Sequence, residues 1–143
     1  MADQTKSSIE IDATASEVMA VIADFAHYPE WVDSMERAEV QTSADGRPER
    51  VRMVLNHPLV KDDYVLEYTW RGDVEVSWEL VEGHLLKAMD GSYLLEAGPN
   101  GGTLVTYTLK VDVNMPMISM FRKKAERTII DGALQGLKKR VES

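Results

Sequence analysis

Residues 64–80, YVLEYTWRGDVEVSWEL, carry the clearest signal of secondary structure in this chain. Apolar and polar side chains alternate within 64–70 and again within 74–80, on either side of the turn-forming Arg71-Gly72-Asp73. Alternation of this kind around a glycine turn predicts two antiparallel strands, each with one buried and one solvated face.

The same alternation continues in both directions from this hairpin. Residues 5–12 form an N-terminal strand, and further apolar faces are formed by Val51, Met53, Leu55, Val105, Tyr107, Leu109 and Val111. Gly/Pro-rich turn signals separate the runs. We therefore expect a curved antiparallel sheet of about seven strands. The segment 85–97 alternates less cleanly, and Gly91 predicts a bend or bulge within it.

Helical signals lie after the first strand and at the end of the chain. Thr14-Ala15-Ser16-Glu17 matches a capping box and predicts a helix start, which Pro29 limits, with a second short helical turn at 28–32. Pro116, preceded by Asn114 as a cap, predicts a C-terminal helix of about 25 residues. The expected fold class is α+β, with the curved sheet wrapped around the long C-terminal helix and a short helical pair after the first strand.

Composition narrows the possible functions. The 143 residues predict a single domain, 1–143, and the absence of cysteine excludes disulfides and thiolate chemistry. Sixteen basic and 24 acidic residues give a net charge of −8, which repels nucleic acid and anionic lipid surfaces. The N-terminus does not resemble a secretory signal, and no apolar run is long enough to span a bilayer. We expect a cytoplasmic protein without stable membrane insertion.

A strongly bent sheet cannot pack flush against one straight helix, so we expect a cavity between them. Its predicted lining residues are Met53, Tyr64, Leu66, Tyr68, Trp78, Tyr107, Met117 and Phe121. Aromatic side chains of this kind bury apolar surface, and the tyrosine hydroxyls fix the polar end of a ligand. Tyr28 and Trp31, on either side of Pro29, are predicted to form a structural plug. The segment 115–121 is a candidate gate, since it concentrates flexible apolar side chains.

Catalytic residues remain unassigned by the sequence. The three histidines show no metal-ligand spacing, so we expect no metal or cofactor and interpret His27, His57 and His84 as surface or turn residues. Asp62 and Asp63 are expected to be solvated. Asp90 and Asp131 are the carboxylates that we expect to face inward if the protein is an acid–base catalyst.

The order of elements, together with Asp24-Phe25-Ala26-His27-Tyr28-Pro29-Glu30-Trp31, resembles a known family. It is similar to the polyketide cyclase/dehydrase and coenzyme-Q-binding branch of the START-like, Bet v1-like (SRPBCC) superfamily, over nearly the whole chain. The resemblance implies a helix-grip fold with a deep cavity that accepts lipids, quinones, sterol-like or polyketide molecules.

Three functions follow as alternatives. The first is binding of a hydrophobic small molecule by a monomer or homodimer. The second is a cyclase or dehydratase, which requires a tyrosine hydroxyl and an inward carboxylate to converge in the cavity. The third is a partner-binding, chaperone-like module, which requires a large exposed apolar patch and little internal volume.

Overall fold

The computed structural model describes residues 4–58, 61–114 and 119–143, except for the side chain of Ser119. Seven strands form one antiparallel sheet in the order β1-β7-β6-β5-β4-β3-β2. The strands are β1 (Thr5–Ile11), β2 (Met35–Ala44), β3 (Arg47–Asn56), β4 (Lys61–Arg71), β5 (Glu75–Glu82), β6 (Leu86–Ala97) and β7 (Thr103–Val113). Alternate residues of each central strand are buried, which confirms the sheet that the alternation predicts.

The helical pair after β1 begins as the capping box predicts. Helix α1 (Ala15–Ala23) starts with the Thr14 hydroxyl accepting from the Glu17 amide at 3.2 Å, while the Glu17 carboxylate accepts from the Thr14 amide at 3.1 Å. A 3₁₀ helix (Phe25–Glu30) follows and contains Pro29. It begins a few residues earlier than the expected turn at 28–32, because Asp24 already ends α1.

The long helix α2 (Ser119–Glu142) lies against β1, β7 and α1. Its buried side includes Glu126, Ile130, Ala133, Leu134 and Leu137. The predicted start of this helix at Pro116 lies outside the described residues. A curved sheet with a C-terminal helix and a short helix after β1 is the helix-grip arrangement, so the predicted fold class is confirmed.

Strands β5 and β6 pair along only part of their length. Their pairing ends at Trp78 opposite Gly91. Beyond this point the backbone amide of Leu80 donates to the Asp90 carboxylate at 2.9 Å instead of to a strand carbonyl. Strands β6 and β7 pair through Gly91 without a register shift, so the bulge expected near Gly91 lies instead between Leu86 and Ala88, and the bend stays a prediction.

The core fills the concave side of the sheet. Phe25 and Tyr28 contact each other with ring centroids 4.6 Å apart, and Phe25 continues the contact to Tyr68 on β4 at 4.9 Å. From Tyr68 the ring contacts pass through Trp78 to β7.

Among the described residues, no helix is long and apolar enough to cross a membrane.

Candidate functional site

A cavity of about 90 Å³ lies between the concave face of the sheet and α2. Strands β2 to β7 contribute side chains to its floor, and the turn after the 3₁₀ helix together with α2 forms its wall. The lining residues are Tyr28, Val32, Asp33, Met35, Met53, Leu55, His57, Tyr64, Leu66, Tyr68, Trp78, Met89, Tyr93, Tyr107, Thr128, Ile129, Gly132 and Ala133.

Six of the predicted lining residues lie at this cavity: Met53, Tyr64, Leu66, Tyr68, Trp78 and Tyr107. Phe121 does not, because its side chain is 56% exposed in the first turn of α2. Thr128, seven residues later on the same side of the helix, does line the cavity. Met117 lies outside the described residues.

Tyr28 and Trp31 are both buried next to each other, with ring centroids 4.9 Å apart. The Tyr28 hydroxyl donates to the carbonyl of Ile22 at the end of α1, and Tyr28 also lines the cavity. A Cβ atom at Gly136 of α2 would come within 2.2 Å of the Trp31 carbonyl oxygen. Glycine therefore permits this close approach of α2 to the predicted plug, whose structural role stays a prediction.

Four tyrosine hydroxyls are open to the cavity. Tyr64, Tyr68, Tyr93 and Tyr107 are all buried and all line it. Within the described residues, none of these hydroxyls forms a hydrogen bond. Nor are their oxygens fully enclosed by protein atoms, in contrast to Trp31 Nε1, which is enclosed and has no partner. The hydroxyls therefore lie against the open space of the cavity rather than against other protein atoms. Because an unpaired buried hydroxyl is costly, the group is suited to a molecule that offers acceptors.

Burial keeps these hydroxyls protonated. It is the largest cause of the raised pKa of all four tyrosines, and the nearby Tyr107 raises the pKa of Tyr64, Tyr68 and Tyr93 further. A tyrosine whose pKa lies above its ordinary value remains a hydrogen-bond donor at physiological pH. The cavity thus presents neutral donors and no tyrosinate base.

The contacts around Trp78 hold this group together. The Trp78 ring centroid lies 5.5 Å from those of Tyr68 and Tyr93 and 5.6 Å from that of Tyr107. A Cβ atom at Gly91 would lie 2.7 Å from the Trp78 ring. The sequence does not predict Tyr93 as a lining residue, because Leu94 and Leu95 interrupt the alternation of β6. Its spacing of two residues from Gly91 is the signal that places Tyr93 on the same face of the sheet as Gly91.

Polar side chains mark the mouth of the cavity. Asp33 and Thr128 are exposed, whereas His57 is only 7% exposed and reaches the cavity from the end of β3. His57 lies in the connection between β3 and β4, as the turn interpretation expects, but it is buried rather than on the surface. Its position one residue beyond β3, in step with inward-facing Met53 and Leu55, is the signal that places it inside.

The expected inward carboxylates do not reach the cavity. Asp90 accepts from Leu80, and Asp131 is half-buried away from the lining. Asp62 is not simply solvated, since its carboxylate accepts from the backbone amides of His84, Leu85 and Leu86. Asp63 pairs with Arg52, and this hydrogen bond is the largest cause of the lowered pKa of Asp63. In the ranges that the structure describes, no group of three or more His, Asp or Glu side chains is arranged to hold a metal ion.

Comparison with protein families identifies this arrangement. The family model described as polyketide cyclase/dehydrase and lipid transport matches residues 3–142. The chain belongs to this family. Polyketide cyclase/dehydrase and lipid-transport proteins are START-like, Bet v1-like domains, so the superfamily resemblance is confirmed, whereas the coenzyme-Q-binding branch stays a prediction.

Solved structures share the fold at low sequence identity. A START superfamily protein from Mycobacterium smegmatis is 18% identical, with a TM-score of 0.89 and 97% of each chain covered. The Zhui aromatase/cyclase from Streptomyces sp. R1128 is 13% identical, with a TM-score of 0.82 and coverage of 98% of this chain and 93% of that one. A protein from Thermus thermophilus is 20% identical, with a TM-score of 0.81 and coverage of 98% and 97%. No curated protein matches the sequence.

The cavity of this family member is narrow. Its volume of about 90 Å³ is well below the roughly 300 Å³ of a pocket for a drug-sized ligand. The expectation of a deep cavity is thus met in position and not in size. Met35, Met53 and Met89 line it, and their unbranched thioether side chains can change rotamer to enlarge it.

Proposed function

We propose that this protein binds a small apolar molecule carrying at least one hydrogen-bond-accepting oxygen, in the cavity between the sheet and α2. Quinones, polyketides and oxygenated lipids belong to this class. The observation that carries the proposal is the set of four tyrosine hydroxyls at the cavity, which have no hydrogen-bond partner among the described residues.

The chemistry of the lining supports a neutral ligand group. Aromatic and aliphatic side chains surround the four donors, and the described lining contains no lysine or arginine. A carboxylate or phosphate would enter this site without a counter-ion, whereas a carbonyl or ether oxygen needs only the hydroxyl donors. The donors are therefore matched to carbonyl oxygens on an apolar framework.

A pair of isosteric probes tests this proposal. 1-Indanone and indane have nearly the same shape, but only the ketone offers an acceptor, so we expect the protein to bind 1-indanone more tightly by about fivefold, the size of one neutral hydrogen bond. Replacing all four tyrosines at once, by Tyr64→Phe, Tyr68→Phe, Tyr93→Phe and Tyr107→Phe, should abolish this difference, because no hydroxyl donor then remains among them. Calorimetric titration measures both affinities.

Tyr28→Phe is the matched control, because the Tyr28 hydroxyl already donates to Ile22 and is not available to a ligand. It should lower stability and leave the preference for the ketone intact. If the protein binds neither probe, the proposal of a ligand cavity fails. If it binds both equally, the cavity accepts apolar molecules but the tyrosines do not select among them.

His57 favours cyclisation as a second candidate function. It lies at the cavity together with the tyrosine donors, so a proton acceptor and proton donors surround one space. A cyclase should convert 2,6-heptanedione to 3-methylcyclohex-2-enone, with loss of one water, faster than buffer does. His57→Asn should remove that acceleration, and an unchanged rate in the variant would exclude His57 as the base.

A further inference from the structure

The exposed side of α2 near its start carries two apolar and two cationic side chains. Met120 is 75% and Phe121 is 56% exposed, and Lys124 and Arg127 are exposed as well. Met120, Lys124 and Arg127 follow one another at spacings of four and three residues, and Phe121 precedes Lys124 by three. These spacings place all four on one side of the helix. We call these four residues the α2 patch.

The cations of the α2 patch form no ion pairs within the described residues. Six other arginines are paired with carboxylates, namely Arg37, Arg47, Arg50, Arg52, Arg71 and Arg140, whereas Arg122 of α2 also has no ion pair in the described part of the chain. Within residues 4–58, 61–114 and 119–143, Lys124 and Arg127 have no carboxylate partner. Carboxylates outnumber basic groups by 24 to 16, so this lack is not due to a shortage of acidic residues.

We propose that the α2 patch docks this protein on an anionic membrane surface. Helices that lie at a membrane interface combine cations, which contact anionic headgroups, with large apolar side chains that enter the boundary with the acyl chains. Lys124 and Arg127 supply the first and Met120 and Phe121 the second. A nucleic-acid backbone also offers negative charge to Lys124 and Arg127, but it has no apolar region that Met120 and Phe121 could enter. It therefore fits the patch less well than a bilayer does.

The net charge of −8 opposes approach but does not prevent contact. At physiological ionic strength the repulsion is screened beyond about 8 Å, whereas the α2 patch acts at contact. The acidic remainder of the surface also turns away from an anionic bilayer, which orients the patch towards it. Docking is therefore peripheral and weakens as salt concentration rises.

The α2 patch adjoins the mouth of the cavity. Thr128 and Ile129 follow Arg127 directly and line the cavity. A protein docked through the α2 patch thus holds its cavity mouth beside the bilayer, where apolar molecules dissolve. The docking itself does not depend on the proposed ligand, so it can be measured without one.

Vesicle sedimentation tests the docking. We expect the protein to bind vesicles of equal parts phosphatidylglycerol and phosphatidylcholine at low salt and to leave them at high salt. Lys124→Gln combined with Arg127→Gln should weaken this binding roughly thirtyfold, since each cation near an anionic surface contributes about a fivefold factor. Phe121→Ser should weaken it about tenfold.

Arg71→Gln combined with Lys139→Gln is the control, because it removes the same charge from exposed positions at the end of β4 and near the C-terminal end of α2. It should change vesicle binding less than twofold. The proposal is overturned if the wild-type protein ignores phosphatidylglycerol vesicles at low salt, or if both double variants lose binding equally. Binding to polyglutamate without binding to vesicles would also overturn it, and would identify an acidic protein as the partner.

Discussion

At the scale of single residues, glycines and short polar contacts determine where the aromatic side chains lie. A Cβ atom at Gly91 would meet the Thr108 carbonyl oxygen at 2.5 Å and the Trp78 ring at 2.7 Å. Only glycine lets β6 pass this close beneath the indole. Trp78 in turn contacts three of the tyrosines, so the shape of the cavity depends on a position that has no side chain of its own.

His27 gives a pH-dependent contact at the same scale. Its Nδ1 lies 2.7 Å from the Asp24 carboxylate, and this hydrogen bond is the largest cause of the pKa of His27 being raised above 6.5, with Glu30 contributing through its charge. A raised pKa in the folded state means that protonated His27 stabilises the fold. That stabilisation is complete below about pH 6.5 and is lost as pH rises through the folded pKa.

We therefore predict that Asp24→Asn lowers the pKa of His27 towards 6.5. Nuclear magnetic resonance titration of the imidazole signals measures it. The advantage of wild type over His27→Gln in thermal stability should likewise be larger at about pH 5.5 than at about pH 8.5, values on either side of the ordinary histidine pKa of about 6.5. An unchanged titration curve in Asp24→Asn would contradict this explanation.

At the scale of elements, one buried carboxylate fixes the position of α2 on the sheet. Glu126 is 1% exposed, and it accepts from the Thr5 hydroxyl and from the Val111 amide, each at 2.7 Å. Val111 lies two residues beyond Leu109, the partner of Thr5, where β1 no longer reaches β7. The carboxylate thus takes the place of a missing strand carbonyl and sets the register of helix against sheet.

Two substitutions of Glu126 should separate its charge from its hydrogen bonds. Glu126→Gln keeps both contacts, because the amide oxygen can accept from Val111 while its nitrogen donates to the Thr5 oxygen, so we expect a loss of less than about 1 kcal/mol. Glu126→Ala leaves a buried amide unpaired and should cost about 3 kcal/mol. Urea denaturation measures both. Equal losses in the two variants would mean that the charge itself is needed.

The sequence predicted the elements better than it predicted the faces of α2. Strand alternation and the capping box at Thr14 are local signals, so the strands and α1 followed from them. Glu126 is a carboxylate within the buried stripe of α2. Its hydrogen-bond partners lie on β1 and β7, distant in sequence, so no local pattern predicts its burial. Phe121 lies seven residues before the cavity-lining Thr128, on the same side of α2, but it belongs to the first turn of the helix and its side chain is exposed there. The spacing signals of His57 and Tyr93 are local but weak, because His57 lies beyond the end of β3 and Leu94 and Leu95 interrupt the alternation of β6.

At the scale of the whole molecule, the narrow cavity is a departure from close packing that costs stability. Interiors normally lack voids much larger than a water molecule, and filling a void generally stabilises a protein. The cavity of about 90 Å³ is bounded on the α2 side in part by Gly132 and Ala133, two small residues of the helix. Small residues at this position leave space that larger ones would occupy.

We predict that Ala133→Leu raises the free energy of unfolding by about 1 kcal/mol and abolishes binding of 1-indanone. The new side chain occupies the space that the probe requires. Ala20→Leu, on the exposed side of α1, is the control and should change neither property. Denaturation and calorimetric titration of the same samples give both values, and retained binding in a stabilised Ala133→Leu protein would place the ligand elsewhere.

The contacts between β1 and α2 also determine when the protein can fold. Thr5 bonds to Glu126 across 121 positions, the Glu10 carbonyl to Lys138 across 128, and the Asp12 amide to Glu142 across 130. During translation, β1 leaves the ribosome long before α2, so it stays without these partners until α2 has also emerged. The tertiary structure cannot be complete before that point, which makes β1 the part of the domain that depends most on protection by chaperones in the cell.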